Sequence, residues 1–184
     1  MRDARERFGE TAVPFMRNVY AASLRMCGKS DVAEDITQET MLRAFRTFDN
    51  FQPGTNCKAW LLTIMRSVFV NTYHRDQRRP EAELDALVPD ADVFATSDEQ
   101  ITAFIERAPT PEVEAALAGL PDAFRSVVVL VDIEELSYEE AAQALGCPVG
   151  TIRSRLSRAR HLLHEALKAH AIRAGYVVEP EGRS

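Results

Sequence analysis

One stretch, LSYEEAAQALGCPVGTIRSRLSRAR at residues 136–160, limits what this chain can fold into more than any other. Ser137 followed three residues later by Glu140 is the pattern of a capping box, in which hydroxyl and carboxylate satisfy each other's backbone N–H groups. Ala141, Ala142 and Leu145 then give the following helix one apolar face. Gly146 suits the left-handed residue that ends a helix, and Pro148 suits the first turn of the next. In that second helix Val149, Ile152 and Leu156 recur at intervals of three and four and form a buried face. Arg153, Ser154, Ser157, Arg158 and Arg160 are left to point elsewhere. A capped helix, a tight turn and a helix apolar on one side and cationic on the other predict a helix-turn-helix. Its second helix has the charge and shape to lie in a DNA major groove.

A formal net charge of −6 is unusual for a chain that meets DNA, and its distribution removes the conflict. Residues 1–80 carry a net +4, residues 81–119 a net −9 and residues 120–184 a net −1, while 141–164 hold four arginines and no acid. Local potential beside the phosphates governs binding, not the total. No run of 18 apolar residues occurs, and the N-terminus MRDARERFGE lacks the apolar core of a signal peptide. No membrane insertion and a cytoplasmic location are therefore expected. Cys27, Cys57 and Cys147 form no CxxC pair and read as buried free thiols of a reducing compartment. His161 and His164 stand three apart without a third ligand, so neither metal nor cofactor is expected. No paired carboxylates and histidine make a recognisable catalytic site, so the chain does not read as an enzyme.

The charge map divides the chain into a first module to about Arg79, an acidic linker at 80–109, a second module at 110–170 and a tail at 171–184. In the first module, helical patterns run over 11–27, 31–48 and 56–77. The second of these is expected to open at Asp31 with Glu34 three residues on, and to bury Ile36, Leu42, Phe45 and Phe48. The breakers Pro53 and Gly54 mark a loop, after which Thr55 or Asn56 can cap the third helix. Trp60 reads as a core residue. In the linker, SDEQITAFIERA at 97–108 is a short amphipathic piece that could dock on something. The second module opens at Thr110, with Pro111 at a first helical position. Its VVVLVDI, residues 127–133, has the propensity of a strand. With no strand partner nearby and helices on both sides, a buried helix is expected instead. The fold class is all-α, two small helical domains joined by an acidic linker.

Taken together, these segments resemble the extracytoplasmic-function class of bacterial sigma factors, small sigma-70 relatives built from domains called sigma-2 and sigma-4. DVAEDITQETMLRAFRTFDNF is similar to the part of sigma-2 that docks on RNA polymerase. FQPGTNCKAWLLTIMRSVFVNTYHRDQRR is similar to the segment that opens and reads the minus-10 element. LPDAFRSVVVLVDIEELSYEEAAQALGCPVGTIRSRLSRARHLL is similar to sigma-4. The resemblance implies a factor that gives core RNA polymerase its promoter recognition, stress-responsive and held by an anti-sigma factor.

Site residues follow from the same resemblance. At the minus-35 element, Arg153, Ser154, Ser157 and Arg158 are candidates for base edges. Arginine's planar fork fits guanine O6 and N7. Arg155 and Arg160 would meet phosphates, and the amides near Gly150 and Thr151 could hold another. At the minus-10 element, the loop from Phe51 to Asn56 would hold a flipped base, with Thr55, Asn56 and Lys58 as polar partners. Ser67 and Asn71 share a helix face, and Ser67 stands where the family often has asparagine. Arg66, Arg75, Arg78 and Arg79 would track single-strand phosphates. Asp35, Gln38, Glu39 and Arg43, on one face of the 31–48 helix, would dock on the polymerase. The linker either mimics nucleic acid in the polymerase's RNA exit path or simply tethers the domains. The 97–108 segment could contribute to the anti-sigma contact. The main alternative is a helix-turn-helix transcriptional regulator acting without core polymerase.

Overall fold

The computed structural model describes residues 4–73 and 110–173, all helix, turn and loop with no strand among them. Four helices form the first module: α1 (Ala4–Thr11), α2 (Met16–Cys27), α3 (Ser30–Arg46) and α4 (Cys57–Tyr73). The second holds α5 (Pro111–Gly119), α6 (Asp122–Val128), α7 (Tyr138–Leu145) and α8 (Val149–Arg173). Among the described residues no helix is long and apolar enough to cross a membrane. The expected linker, the 97–108 piece and the tail beyond Arg173 lie outside the described residues.

Helix ends follow local chemistry in most places. Gly28, at φ 71°, takes the left-handed conformation that ends α2, and its N–H donates to the Leu24 carbonyl. Asn56 caps α4: its Oδ1 accepts from the Ala59 N–H at 3.2 Å. Thr110 caps α5 by accepting from the Val113 N–H, and Pro111 opens that helix as expected. The opening expected at Asp31 shifts by one residue. Helix α3 begins one residue earlier, at Ser30, and Lys29 precedes it without a side-chain cap. The pattern read over 11–27 resolves into a short 3₁₀ turn at Val13–Phe15, ahead of α2. Pro14 falls within that turn, a position that needs no backbone donor.

The apolar run 127–133 is helical. Val127 and Val128 close α6, and Val129–Ile133 continue it as a π-helical turn. The Glu134 N–H reaches back five residues to the Val129 carbonyl at 2.9 Å. Val127 through Leu130 are fully buried. A segment enclosed on every side gains as much by burial in a helix as in a strand, so β-branched propensity does not decide it.

The two modules are in contact. Helix α2 lies against α5, α6 and the π turn, and α4 packs on α7. One continuous apolar cluster runs from Phe8 and Val19 through Leu61 and Met65 to Phe124, Ile152 and Leu163. Polar contacts also cross the boundary. Asn18 Nδ2 donates to Glu134 Oε2 at 2.9 Å, and Asn56 Nδ2 donates to Glu140 Oε1 at 2.8 Å. Arg25 pairs with Glu114 at 3.3 Å, and Arg125 Nη1 donates to the Met26 carbonyl at 3.0 Å.

Two residues assigned to the core of the first module are not in it. Leu42 and Phe45 are 43% and 44% exposed, although Ile36 and Phe48 are buried. Phe45 keeps one edge-on contact with Phe8, at a ring separation of 5.2 Å.

Candidate nucleic-acid interface

The helix-turn-helix is built as its sequence predicts. The Ser137 hydroxyl accepts from the Glu140 N–H at 3.1 Å, and Glu140 Oε2 accepts from the Ser137 N–H at 2.8 Å. Gly146, at φ 65°, ends α7 in the left-handed conformation, and the Cys147 N–H closes the turn on the Ala142 carbonyl. Ile152, Leu156, Ala159 and Leu163 bury the inner face of α8. Tyr138, at the start of α7, lies under the Arg153 guanidinium at 5.8 Å. That contact ties the capped helix to the cationic one.

Burial of Glu140 raises its pKa. Hydrogen bonds from the Ser137 backbone, the Asn56 amide and the Ser137 hydroxyl, with the Lys58 charge, outweigh it and hold the carboxyl below the ordinary glutamate range. A carboxylate depressed in the folded state contributes stability above its unfolded pKa and loses it as pH falls through the folded one. Acid titration is therefore expected to loosen the α7 cap and the Asn56 contact together. The check is the protection of the Ser137 and Glu140 amides, their exchange relative to the intrinsic rate at each pH, which should fall below the ordinary glutamate range. In Glu140→Gln that protection should not change with pH there.

The candidate groups on α8 divide. Arg153 and Ser154 are exposed, and Thr151 and Ser157 are half-buried. Arg155 and Arg158 are buried, at 6% and 9% exposure. Arg160 grips Asp132 with both ends of its fork, at 3.1 Å from Nε to Oδ2 and 2.7 Å from Nη2 to Oδ1. The expectation that Arg158 and Arg160 are free to point away from the protein is thus corrected for this conformation, as is the exposure expected of Arg155. Arg155 stands three residues from Ile152 and four from Ala159, at the edge of the buried face, and Arg160 has a buried carboxylate within reach. The Thr151 amide, expected to be open to a phosphate, is used by the Pro148 carbonyl at 2.9 Å.

In the first module, the loop 51–56 and the face of α4 carry the other candidates. The turn is fixed by Gly54 at φ 89° and by the Thr55 hydroxyl, which donates to the Gln52 carbonyl at 2.8 Å. Thr55 and Asn56 are exposed and Lys58 is half-buried. Between this loop and α1 lies a cavity of about 390 Å³ lined by Arg7, Glu10, Phe48, Phe51 and Thr55 among others. Phe48 and Phe51 stack beneath it at 5.8 Å, and Trp60, half-buried, packs against both rings at the edge of the core. Ser67 and Asn71 share a face: the Asn71 amide donates to the Ser67 hydroxyl at 3.3 Å. Arg66 is half-buried, with its guanidinium over Phe69. Arg75, Arg78 and Arg79 lie outside the described residues.

On α3, Asp35 and Gln38 are exposed, whereas Glu39 and Arg43 are half-buried and pair with each other at 2.6 Å. Leu42 and Phe45 follow Gln38 at four and seven residues, so this helix face carries apolar groups as well as polar ones. Sequence reasoning missed them as surface residues. Their spacing from Gln38 was the available signal.

Two family models match in this order along the chain: sigma-70 region 2 over residues 14–79 and sigma-70 region 4 over residues 111–163. The extracytoplasmic-function (ECF) sigma factor EcfG of Rhodopseudomonas palustris is 43% identical over 156 residues, covering 85% of this chain and 81% of EcfG. The chain belongs to the extracytoplasmic-function class of the sigma-70 family. SigE of Mycolicibacterium smegmatis is 40% identical over 83% of this chain, which spans 58% of SigE's length. Among solved structures, a sigma factor RpoE in complex with the anti-sigma factor NepR from Bartonella quintana superposes with a TM-score of 0.67. It is 31% identical, and the match covers 89% of this chain and 98% of that one. CnrH, in complex with the cytosolic domain of CnrY, has a TM-score of 0.62 at 25% identity, covering 90% of each chain. Sigma factors act in promoter recognition and are not enzymes. The capped helix-turn-helix lies within the region 4 match, and the 51–56 loop with α4 lies within the region 2 match.

Proposed function

We propose that this sigma factor directs core RNA polymerase, in the cytoplasm, to promoters read at two elements. In this reading α8 meets the minus-35 element in the major groove, and the 51–56 loop with α4 holds the opened minus-10 strand. The observation that carries it is the exposed pair Arg153 and Ser154 at the start of a cationic helix seated on a fully formed capping box. An arginine held there can place its fork against a guanine edge. The cavity beside Thr55 has an aromatic floor and the volume for one base taken out of the stack. The mixed face of Asp35, Gln38, Glu39, Leu42, Arg43 and Phe45 serves polymerase docking. Apolar groups there add area while the charges orient. An anti-sigma factor is the expected regulator, in keeping with the complexes of the solved relatives.

Run-off transcription with core polymerase on a pool of genomic promoters tests the reading. The chain with core polymerase should initiate at a defined promoter class, and the chain alone should bind those promoters weakly. Tight, specific binding without polymerase would favour a conventional regulator. Arg153→Ala is expected to cost about 1–3 kcal/mol, or about 5- to 150-fold, in initiation. The loss should concentrate at one base position of the minus-35 element. A library of minus-35 variants measured with both proteins checks this, and a uniform loss across the library would reduce Arg153 to a phosphate contact.

A further inference from the structure

We infer that helix α1 forms the second wall of the base pocket, and that Arg7 and Glu10 on it select a base carrying an exocyclic amino group. The inference deepens the reading of the 51–56 loop proposed above and rests on it. Both residues precede the region 2 match, which begins at residue 14.

The placement of α1 is fixed by one aromatic side chain. Phe8 is its buried residue and meets Phe45 and Phe48 edge-on, each at a ring separation of 5.2 Å. Arg7, Glu10 and Thr11, spaced by three and four, share a helix face, and all three line the cavity together with Thr55. The Arg7 guanidinium lies 5.9 Å from the centre of the Phe48 ring that floors the cavity, and its Nη2 reaches Asp49 at 3.8 Å. The Arg7 and Asp49 side chains are 51% and 90% exposed, so this pair is weak and can yield to a ligand. An aromatic floor is thus rimmed by a guanidinium, a carboxylate and two hydroxyls.

Those groups suit a base edge with donor and acceptor side by side. Adenine, cytosine and guanine each carry an amino group near an acceptor, and a carboxylate accepts from such an amino group. Thymine has carbonyl oxygens and no amino group, so it sets a carbonyl oxygen against Glu10. The Arg7 fork donates to the neighbouring acceptor and offers its flat face to the base as well. A backbone phosphate is attracted by Arg7 but repelled by Glu10 beside it, which favours a base over the backbone in this cavity. The ring floor accepts any base, and α1 tells amino-bearing bases from thymine.

Run-off transcription by the holoenzyme, reconstituted with core polymerase, on a library randomised across the minus-10 element tests this. Thr55→Val, in the loop, should flatten the base preference at a single position, which locates the flipped base. At that position the wild type should disfavour thymine on the order of ten-fold against the best amino-bearing base. Glu10→Gln should lose that discrimination and leave every other position as in the wild type, because an amide donates to a thymine carbonyl as readily as it accepts from an amino group. Arg7→Ala should initiate several-fold more slowly on the preferred base, and the deficit should vanish on a promoter with an abasic site at that position. Both side chains are exposed, so circular dichroism melts should match the wild type. Should Arg7→Ala melt lower, Arg7→Gln takes its place in the abasic comparison. A preference located by Thr55→Val but untouched by Glu10→Gln overturns the role of α1 and leaves the loop reading standing. An even loss at every position, or an arginine deficit that persists on the abasic promoter, does the same. If Thr55→Val flattens no position, the loop reading and the inference fall together.

Discussion

Asp132→Ala is expected to destabilise the folded chain by about 3–5 kcal/mol, because it strands a guanidinium that the fold has largely removed from water. The Asp132 side chain is 2% exposed and that of Arg160 is 17% exposed, and the two meet in a two-pronged pair. Parallel N–H···O bonds of this kind are among the stronger polar contacts, and Arg160 keeps its charge at any accessible pH. The cost therefore comes mainly from the desolvated partner left behind. Thermal denaturation followed by circular dichroism should show a fall of about 6–20 °C for a chain of this size. Asp132→Asn keeps one good acceptor and should fall less. A melting point unchanged by Asp132→Ala would show that water reaches Arg160 freely. The pair would then be an exposed one, worth under about 1 kcal/mol.

Arg125→Ala is expected to cost about 2–4 kcal/mol, since one side chain satisfies carbonyls at the ends of two helices. Its Nε donates to the Leu117 carbonyl at 2.9 Å, and Nη2 donates to the carbonyls of Ala118 and Leu120, both at 2.7 Å. Nη1 crosses to the Met26 carbonyl at the end of α2. The last turn of a helix leaves its carbonyls without partners, and a cation there also meets the negative end of the helix dipole. Truncation should lower the melting temperature and extend the free chain in scattering experiments, because the Met26 bond ties the modules together. Arg125→Lys should recover little, since one ammonium cannot reach carbonyls in four directions. Loss of stability without any extension would confine Arg125 to the second module.

Much of this was legible in the residues because it is local. Ser137 and Glu140 stand three apart, and both halves of their capping box formed. Gly146 and Pro111 mark one helix end and one helix start by backbone rules that hardly depend on tertiary context. The α8 stripe at 149, 152 and 156 was readable from its period, and of the three only Val149 is half-buried rather than buried. Extending it through Ala159 would have placed Arg155 at the edge of the buried face. What spacing could not reveal was long-range. Arg160 finds Asp132 across 28 residues, and Asn18 finds Glu134 across 116. No local pattern encodes either pair. Leu42 and Phe45 were misplaced because periodicity counts apolar residues without knowing whether a partner covers them. The region from 74 to 109 holds three of the expected minus-10 arginines, and their roles rest on the sequence.

The wide turn at Val129–Ile133 has a consequence for comparing relatives. It places one residue more in a single turn than an α-helix would, and each helical residue advances the chain by about 100°. A relative one residue shorter here would lose no element of its secondary structure. Its α7 and α8 would instead leave α6 on a different bearing, so a one-position gap in an alignment at this point should be read as a swivel of the whole reading head.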